Sequence, residues 1–121
     1  MNNNLNISEL IHLTKTGNIA IKLQENGKTV ACGYLKATKK GYYLYRVYVK
    51  EELRERGLGT RLMNIIIEKY GDKNIHLSAC PNRISDLELN RDYYKAKLFG
   101  FYARLGFVRK DNTNTMVRYA Q

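Results

Sequence analysis

Between Val49 and Leu58 the apolar pattern of this chain changes its period, and that change limits the fold more than any other feature. Upstream, Ile19, Ile21 and Leu23 alternate with Ala20, Lys22 and Gln24, the pattern of a half-buried strand. Glu25-Asn26-Gly27-Lys28 follows. Asn and Gly both accept positive φ, so a tight hairpin is expected there. Thr29–Ala37 reads as the next strand, Lys39-Lys40-Gly41 as a turn, and Tyr42–Val49 as a third strand rich in Tyr and Val. Leu5–Leu13 is mixed and fits either a short helix or a strand. Downstream, Leu58, Leu62, Ile65 and Ile66 fall at helical spacing, with Met63, Ile67 and Tyr70 beside them. Gly71 is expected to end that helix in the left-handed conformation.

The rest of the chain continues the mixed pattern. Ile75, Leu77 and Ala79 alternate with His76, Ser78 and Cys80, giving a strand that Pro81 stops. Residues 82–92 are irregular, with Ser85 and Glu88 at capping-box spacing. Leu98, Phe101, Tyr102 and Leu105 mark one face of a second helix closed by Gly106. Gly100 inside it costs up to about 1 kcal/mol relative to Ala, so a packing reason or an early helix end is expected. Phe107–Lys110 and Thr115–Tyr119 are two last strands. The expected fold is α/β in the α+β sense: a mixed, mostly antiparallel sheet in the order β-β-β-α-β-α-β-β. A chain of 121 residues without repeat or linker is expected to form a single domain over 1–121.

Composition narrows the partners. The net charge is +10, of which +6 falls on residues 1–50. Such an excess is either a solvated surface or the footprint of an anionic partner, and nucleic acid is one candidate. Ten tyrosines, among them Tyr42, Tyr43, Tyr45 and Tyr48, are either sheet-face packing or stacking surfaces for bases. No apolar run reaches membrane-spanning length, and the start MNNNLNIS has no basic n-region or apolar h-region. A cytoplasmic protein without a membrane partner is therefore expected. Cys32 and Cys80 lack metal-ligand spacing, and His12 and His76 do not pair in pattern, so no metal is expected. The strands near the C-terminus leave a homodimer open.

The segment most suited to chemistry is Val47-Tyr48-Val49 followed by Arg54-Glu55-Arg56-Gly57-Leu58-Gly59-Thr60. A strand runs into a basic, glycine-containing loop that opens an amphipathic helix. Amides at a helix start have no intrahelical acceptors, and the dipole adds positive charge there. Two glycines let a ligand approach the backbone. The arrangement suits a pyrophosphate. The Gly-Lys-Ser/Thr of a Walker loop is absent, as is the third glycine of a Rossmann loop.

Phe101-Tyr102-Ala103-Arg104-Leu105-Gly106-Phe107 lies downstream. The two stretches together resemble the GCN5-related N-acetyltransferase family over about Thr29–Tyr119. In that family an Arg/Gln-x-x-Gly-x-Gly/Ala loop binds the pyrophosphate of coenzyme A. The resemblance implies a splay between the strands at 42–49 and 75–80 that admits pantetheine. It implies that Val47, Tyr48 and Val49 hold the cofactor through backbone bonds, and that Arg54 through Thr60 hold its phosphates. It implies acetyl-CoA as co-substrate and Tyr102 as the acid that reprotonates the leaving thiolate. Many members carry a Glu on the strand before the loop; here Tyr43-Leu44-Tyr45-Arg46-Val47-Tyr48-Val49 has no carboxylate. Water relayed by Tyr45 or Tyr43, or an amine that arrives neutral, takes its place. Lys95 stands where the family often has Asn. Only Asn26-Gly27 separates the first two expected strands, where the family has two helices, so an open acceptor side is expected. The implied acceptor is an amine on a protein or ribonucleoprotein. A basic nucleic-acid-binding module and a non-catalytic acyl-CoA-binding module on the same fold are the alternatives.

Overall fold

The computed structural model describes residues 6–50, 57–79 and 95–121. Four strands come first: β1 (Ile7–Leu13), β2 (Ile19–Glu25), β3 (Lys28–Thr38) and β4 (Gly41–Val49). Helix α1 (Leu58–Tyr70) and β5 (Ile75–Ser78) follow. A second helix, α2, is described over 95–103. β6 (Val108–Arg109) and β7 (Thr115–Arg118) complete the fold. One seven-stranded sheet runs β1-β2-β3-β4-β5-β7-β6. Every pair is antiparallel except β4 with β5. The expected α+β architecture is present with one more strand, because Ile7–Leu13 pairs along its whole length with β2.

Local chemistry explains the turns. Asn26 and Gly27 have φ of 53° and 79°, so the β2–β3 hairpin is the two-residue turn that Asn-Gly favours. The additional strand moves the chain's first connection to residues 14–18, a turn closed by Thr14 N–H donating to the Asn18 carbonyl at 2.8 Å. Both early connections are thus too short to hold a helix.

The core lies on one face of the sheet. Ile21, Leu23, Ala31, Leu35, Leu44, Ile75, Leu77 and Met116 are buried there beneath Leu58, Leu62, Met63 and Ile66 of α1. Truncating one such side chain to Ala typically costs about 2–5 kcal/mol. Tyr42 joins this face, its ring edge-on to Tyr70 at 5.2 Å.

Gly71 corrects one expectation. Its φ is −76°, so it is not left-handed. Glycine is needed there for space, because a Cβ would collide with the Ile67 carbonyl oxygen and stand 3.0 Å from the Arg118 guanidinium. Arg118 occupies that space and donates through Nε to the Leu105 carbonyl at 3.1 Å, linking β7 to the turn after α2. Gly100 shows no such reason among the described residues, where a Cβ would meet only Arg104 at an ordinary 3.6 Å, and the helix runs on past it to residue 103.

Gly41 starts the contact between β4 and β5. Its φ is +128°, and a Cβ would fall on the Asn74 carbonyl oxygen, the acceptor of the Tyr42 N–H bond at 2.8 Å. A Gly41→Ala substitution should therefore lower unfolding stability by about 2 kcal/mol or more, read by urea denaturation. An unchanged midpoint would show that this approach can relax.

Candidate active site

The site is built on a break in β4. Tyr34 pairs with Arg46 but Leu35 pairs with Leu44, so Tyr45 is an extra residue, a β-bulge. The bulge changes the phase of the strand. Tyr42 and Leu44 face the helices before it, and Val47 and Val49 face them after it. Tyr45 and Arg46 are both exposed. The sequence carries this signal as an odd-numbered step between Leu44 and Val47 in an otherwise alternating strand, a signal that the period-two reading passed over.

The same break ends the ladder with β5. Among the described residues, β4 and β5 pair at Tyr42↔Ile75, Tyr43↔His76 and Leu44↔Leu77 and no further. β3 stays with β4 to Ala31↔Val49. β5 meanwhile follows β7, with Ser78 opposite Thr115 and the Ala79 N–H donating to the Asn114 carbonyl at 2.9 Å. Each strand keeps its outer neighbour while the inner ladder stops, and that is the geometry of a wedge. Val47, Tyr48 and Val49 lie on the stretch of β4 beyond the last β5 pair.

Helix α1 starts beside this stretch. Gly57 caps it with φ 78° and ψ 9°, and its carbonyl accepts the Arg61 N–H at 3.0 Å. Among the described residues, nothing lies within 4 Å of the place a Cβ would take at Gly57. Among the described residues, no side chain caps the first turn and no acid stands in it. No carboxylate of the described first turn thus competes for its amides. A Cβ on Gly59 would lie 3.6 Å from Phe101 Cζ and 3.7 Å from Val49 Cγ2. The end of β4, the start of α1 and the second helix therefore converge at Gly59, and both helices cover one face. A groove of about 380 Å³ runs down the outer side of α1 from Gly57 and Thr60 past Arg61 and Asn64 to Glu68, with Glu9 opposite.

Tyr102 is buried between two rings, Phe101 at 5.1 Å and Phe107 at 5.8 Å, both near edge-on. Its carbonyl accepts the N–H groups of Leu105 at 3.0 Å and Phe107 at 3.1 Å. That turn fixes Phe107, itself buried, against the tyrosine. Burial pushes the Tyr102 hydroxyl up to about 12, so it holds its proton throughout the neutral range.

The structure brings together Val47, Tyr48, Val49, Gly57, Leu58, Gly59 and Thr60, with Tyr102 joined to them through Phe101. Leu58 is buried in the core, so only its backbone can face a ligand. Arg54, Glu55, Arg56, Cys80, Ser85 and Glu88 lie outside the described residues. Lys95 is half-buried at the described start of α2. His76 lies on the sheet face opposite Ile75 and Leu77, as the alternation predicts. Sequence reasoning missed the contacts of Phe101 and the stacking of the Arg109 guanidinium 4.3 Å over Phe99.

The two loop glycines should respond with opposite signs. Gly57→Ala is expected to cost about 1–2 kcal/mol, because its backbone is left-handed. Gly59→Ala should be neutral or stabilising by up to about 1 kcal/mol, because its new methyl meets only ordinary contacts within a helix. Urea unfolding of both variants checks this, and equal losses would contradict it.

The acetyltransferase (GNAT) domain family matches residues 17–109. A search of curated protein sequences returned no match. Among solved structures, a GNAT family acetyltransferase from Elizabethkingia anophelis with acetyl-CoA bound is 14% identical. Its TM-score is 0.65, with 93% of this chain and 95% of that chain covered. The Escherichia coli ribosomal-protein-S18-alanine N-acetyltransferase is 15% identical at a TM-score of 0.62, covering 86% and 71%. The PaiA N-acetyltransferase of Thermoplasma acidophilum, in complex with coenzyme A, is 18% identical at a TM-score of 0.58. There the alignment covers 84% of this chain but only 60% of the other.

Proposed function

Since the chain belongs to the GCN5-related N-acetyltransferase family, we propose that it is an acetyl-CoA-dependent N-acetyltransferase whose acceptor is a primary amine on a macromolecule, a protein lysine or N-terminus. The observation that carries this reading is the ladder between β4 and β5, which ends at Leu44↔Leu77 while β4 continues to Val49. A wedge of that shape admits an extended pantetheine arm, which adds to a strand as a peptide does in β-augmentation. The main chain of Val47, Tyr48 and Val49 is the edge it would follow. The first-turn amides from Gly57 to Thr60 would take the pyrophosphate, with Arg54, Glu55 and Arg56 completing the loop.

In this mechanism a neutral amine attacks the thioester carbonyl. The carbon–nitrogen bond forms, the carbon–sulfur bond breaks, and the thiolate takes the Tyr102 proton. The ammonium formed by attack gives its extra proton to solvent, and Tyr102 is reprotonated from solvent afterwards. No carboxylate of β4 is available as a base. Tyr45 does not replace it, because its ring stacks towards β3 on Tyr34 and its hydroxyl accepts from Asn18 Nδ2 at 3.3 Å, away from the wedge. Tyr43 shares the outer sheet face with Tyr45, and in this reading the amine arrives already neutral. Both early connections are too short for a helix, so among the described residues neither walls the acceptor side, which supports a large acceptor.

Calorimetric titration should detect acetyl-CoA at tens of micromolar; absence of binding would reject the reading. Tyr102→Phe should lose roughly 10²–10⁴ in turnover with cofactor affinity retained. Equal turnover would favour a domain that only binds the cofactor. The pH profile supplies a further check. Tyr102 is raised, so its proton is lost only as pH approaches about 12. The rate should climb with amine deprotonation and show no falling limb below pH ~11 that Tyr102 controls. A plateau near pH ~8 identifies an α-amino acceptor, and a continued rise towards pH ~10 identifies lysine. A bell with a falling limb at pH 8–9 would remove Tyr102 from the acid role.

A further inference from the structure

The sheet face opposite the helices is aromatic and basic across β2–β4, and among the described residues no helix covers it. Residues opposed in the register share a face, which places Lys22, Tyr34, Lys36, Tyr43, Arg46 and Tyr48 on it together with the bulged Tyr45. Tyr43, Tyr45 and Tyr48 are 38%, 41% and 38% exposed, unusual for rings at neighbouring strand positions. Tyr45 is the centre of the group. It stacks on Tyr34 at 5.9 Å with 29° between planes, and its centroid lies 6.4 Å from that of Tyr43. Cations bracket the rings: Arg46 stands opposite Tyr34, Lys36 opposite Tyr43, and Lys22 and Tyr48 opposite Cys32 on either side. The sole acidic residue of the three strands, Glu25, stands at the hairpin end of β2. Burial and the neighbouring Cys32 raise the Tyr34 hydroxyl, so no phenolate from Tyr34 opposes this charge at neutral pH.

We infer that this tyrosine-rich sheet face is a docking surface for single-stranded RNA. Stacked rings on a sheet offer planes to unpaired bases, and cations beside them meet the phosphates. An acidic peptide would use the cations and leave the rings idle. A duplex would hide its base faces from them. The ring edges carry phenolic hydroxyls, which donate and accept and so suit the ribose 2′-hydroxyl. The inference stands apart from acetyl transfer, and a failed acetyl-CoA titration leaves it intact.

The test is fluorescence anisotropy with a labelled oligouridylate of about 12 nucleotides, between 50 and 200 mM salt. Three phosphate contacts predict a log–log salt slope of roughly −2. Tyr45→Ala should weaken binding roughly tenfold, and Tyr45→Phe should restore it. Arg46→Gln should flatten the slope, while Lys110→Gln, in the β6–β7 connection, should leave binding unchanged. Thermal unfolding checks that each variant is folded, and Tyr43→Ala replaces Tyr45→Ala if that one is not. The inference is overturned by undetectable binding, by full affinity in the folded alanine variant, by an equal loss in Lys110→Gln, or by equal affinity for oligothymidylate or a duplex.

Discussion

One extra residue in one strand organises this molecule. Tyr45 bulges out of β4 against β3, and everything on its far side follows. A bulge bends its strand and raises the local twist, so the strand leaves one neighbour while keeping the other. β4 keeps β3 and parts from β5 after Leu44. The parting is anchored at its closed end by Gly41 against Asn74 and flanked at its open end by α1. A sheet ordinarily gains by completing its ladders. Here an inner ladder between two central strands stops short, and the helix that follows begins with amides that no described side chain caps. Under the proposed function both features would serve the cofactor, and they are near neighbours in sequence.

The bulge also divides the labour between the two faces. Before it, alternation puts Leu44 in the core; after it, Val47 and Val49 take that side. The same phase change turns Arg46 and Tyr48 outward, beside Tyr43 and Tyr45, which the alternation before it already places there. The apolar wall of the wedge and the aromatic outer face are thus two results of one insertion. Tyr102 stands on a separate element, held by two flanking rings and by a turn in which its carbonyl accepts two amides. Its burial keeps the hydroxyl protonated throughout the neutral range.

Much of this was legible in the sequence, for particular reasons. Asn26-Gly27 specified its turn because few pairs accept two positive φ values. The helix at 58–70 was readable because its apolar stripe is broad and its entry is a glycine loop. The motif at Arg54–Thr60 and the tyrosine of the second helix lay far enough apart in sequence to be independent signals, and the family match spans both. Other features were not legible. The strand Ile7–Leu13 has no clean alternation, since as an edge strand it has one neighbour and is exposed along most of its length. Gly71 looked like a left-handed cap, but its role is to admit the Arg118 guanidinium, a partner 47 positions away that no local pattern reveals. The bulge was written in the spacing of Leu44 and Val47, yet strict period-two reading treats such a step as noise.

The wedge between β4 and β5 is the central claim, and backbone amide resonances observe it directly. Acetyl-CoA added to isotopically labelled protein should shift the amides of Val47, Tyr48 and Val49 together with those of Leu58–Arg61, saturably and with one affinity. Shifts confined to the outer groove of α1, or to the tyrosine face, with those amides unmoved, would contradict the account.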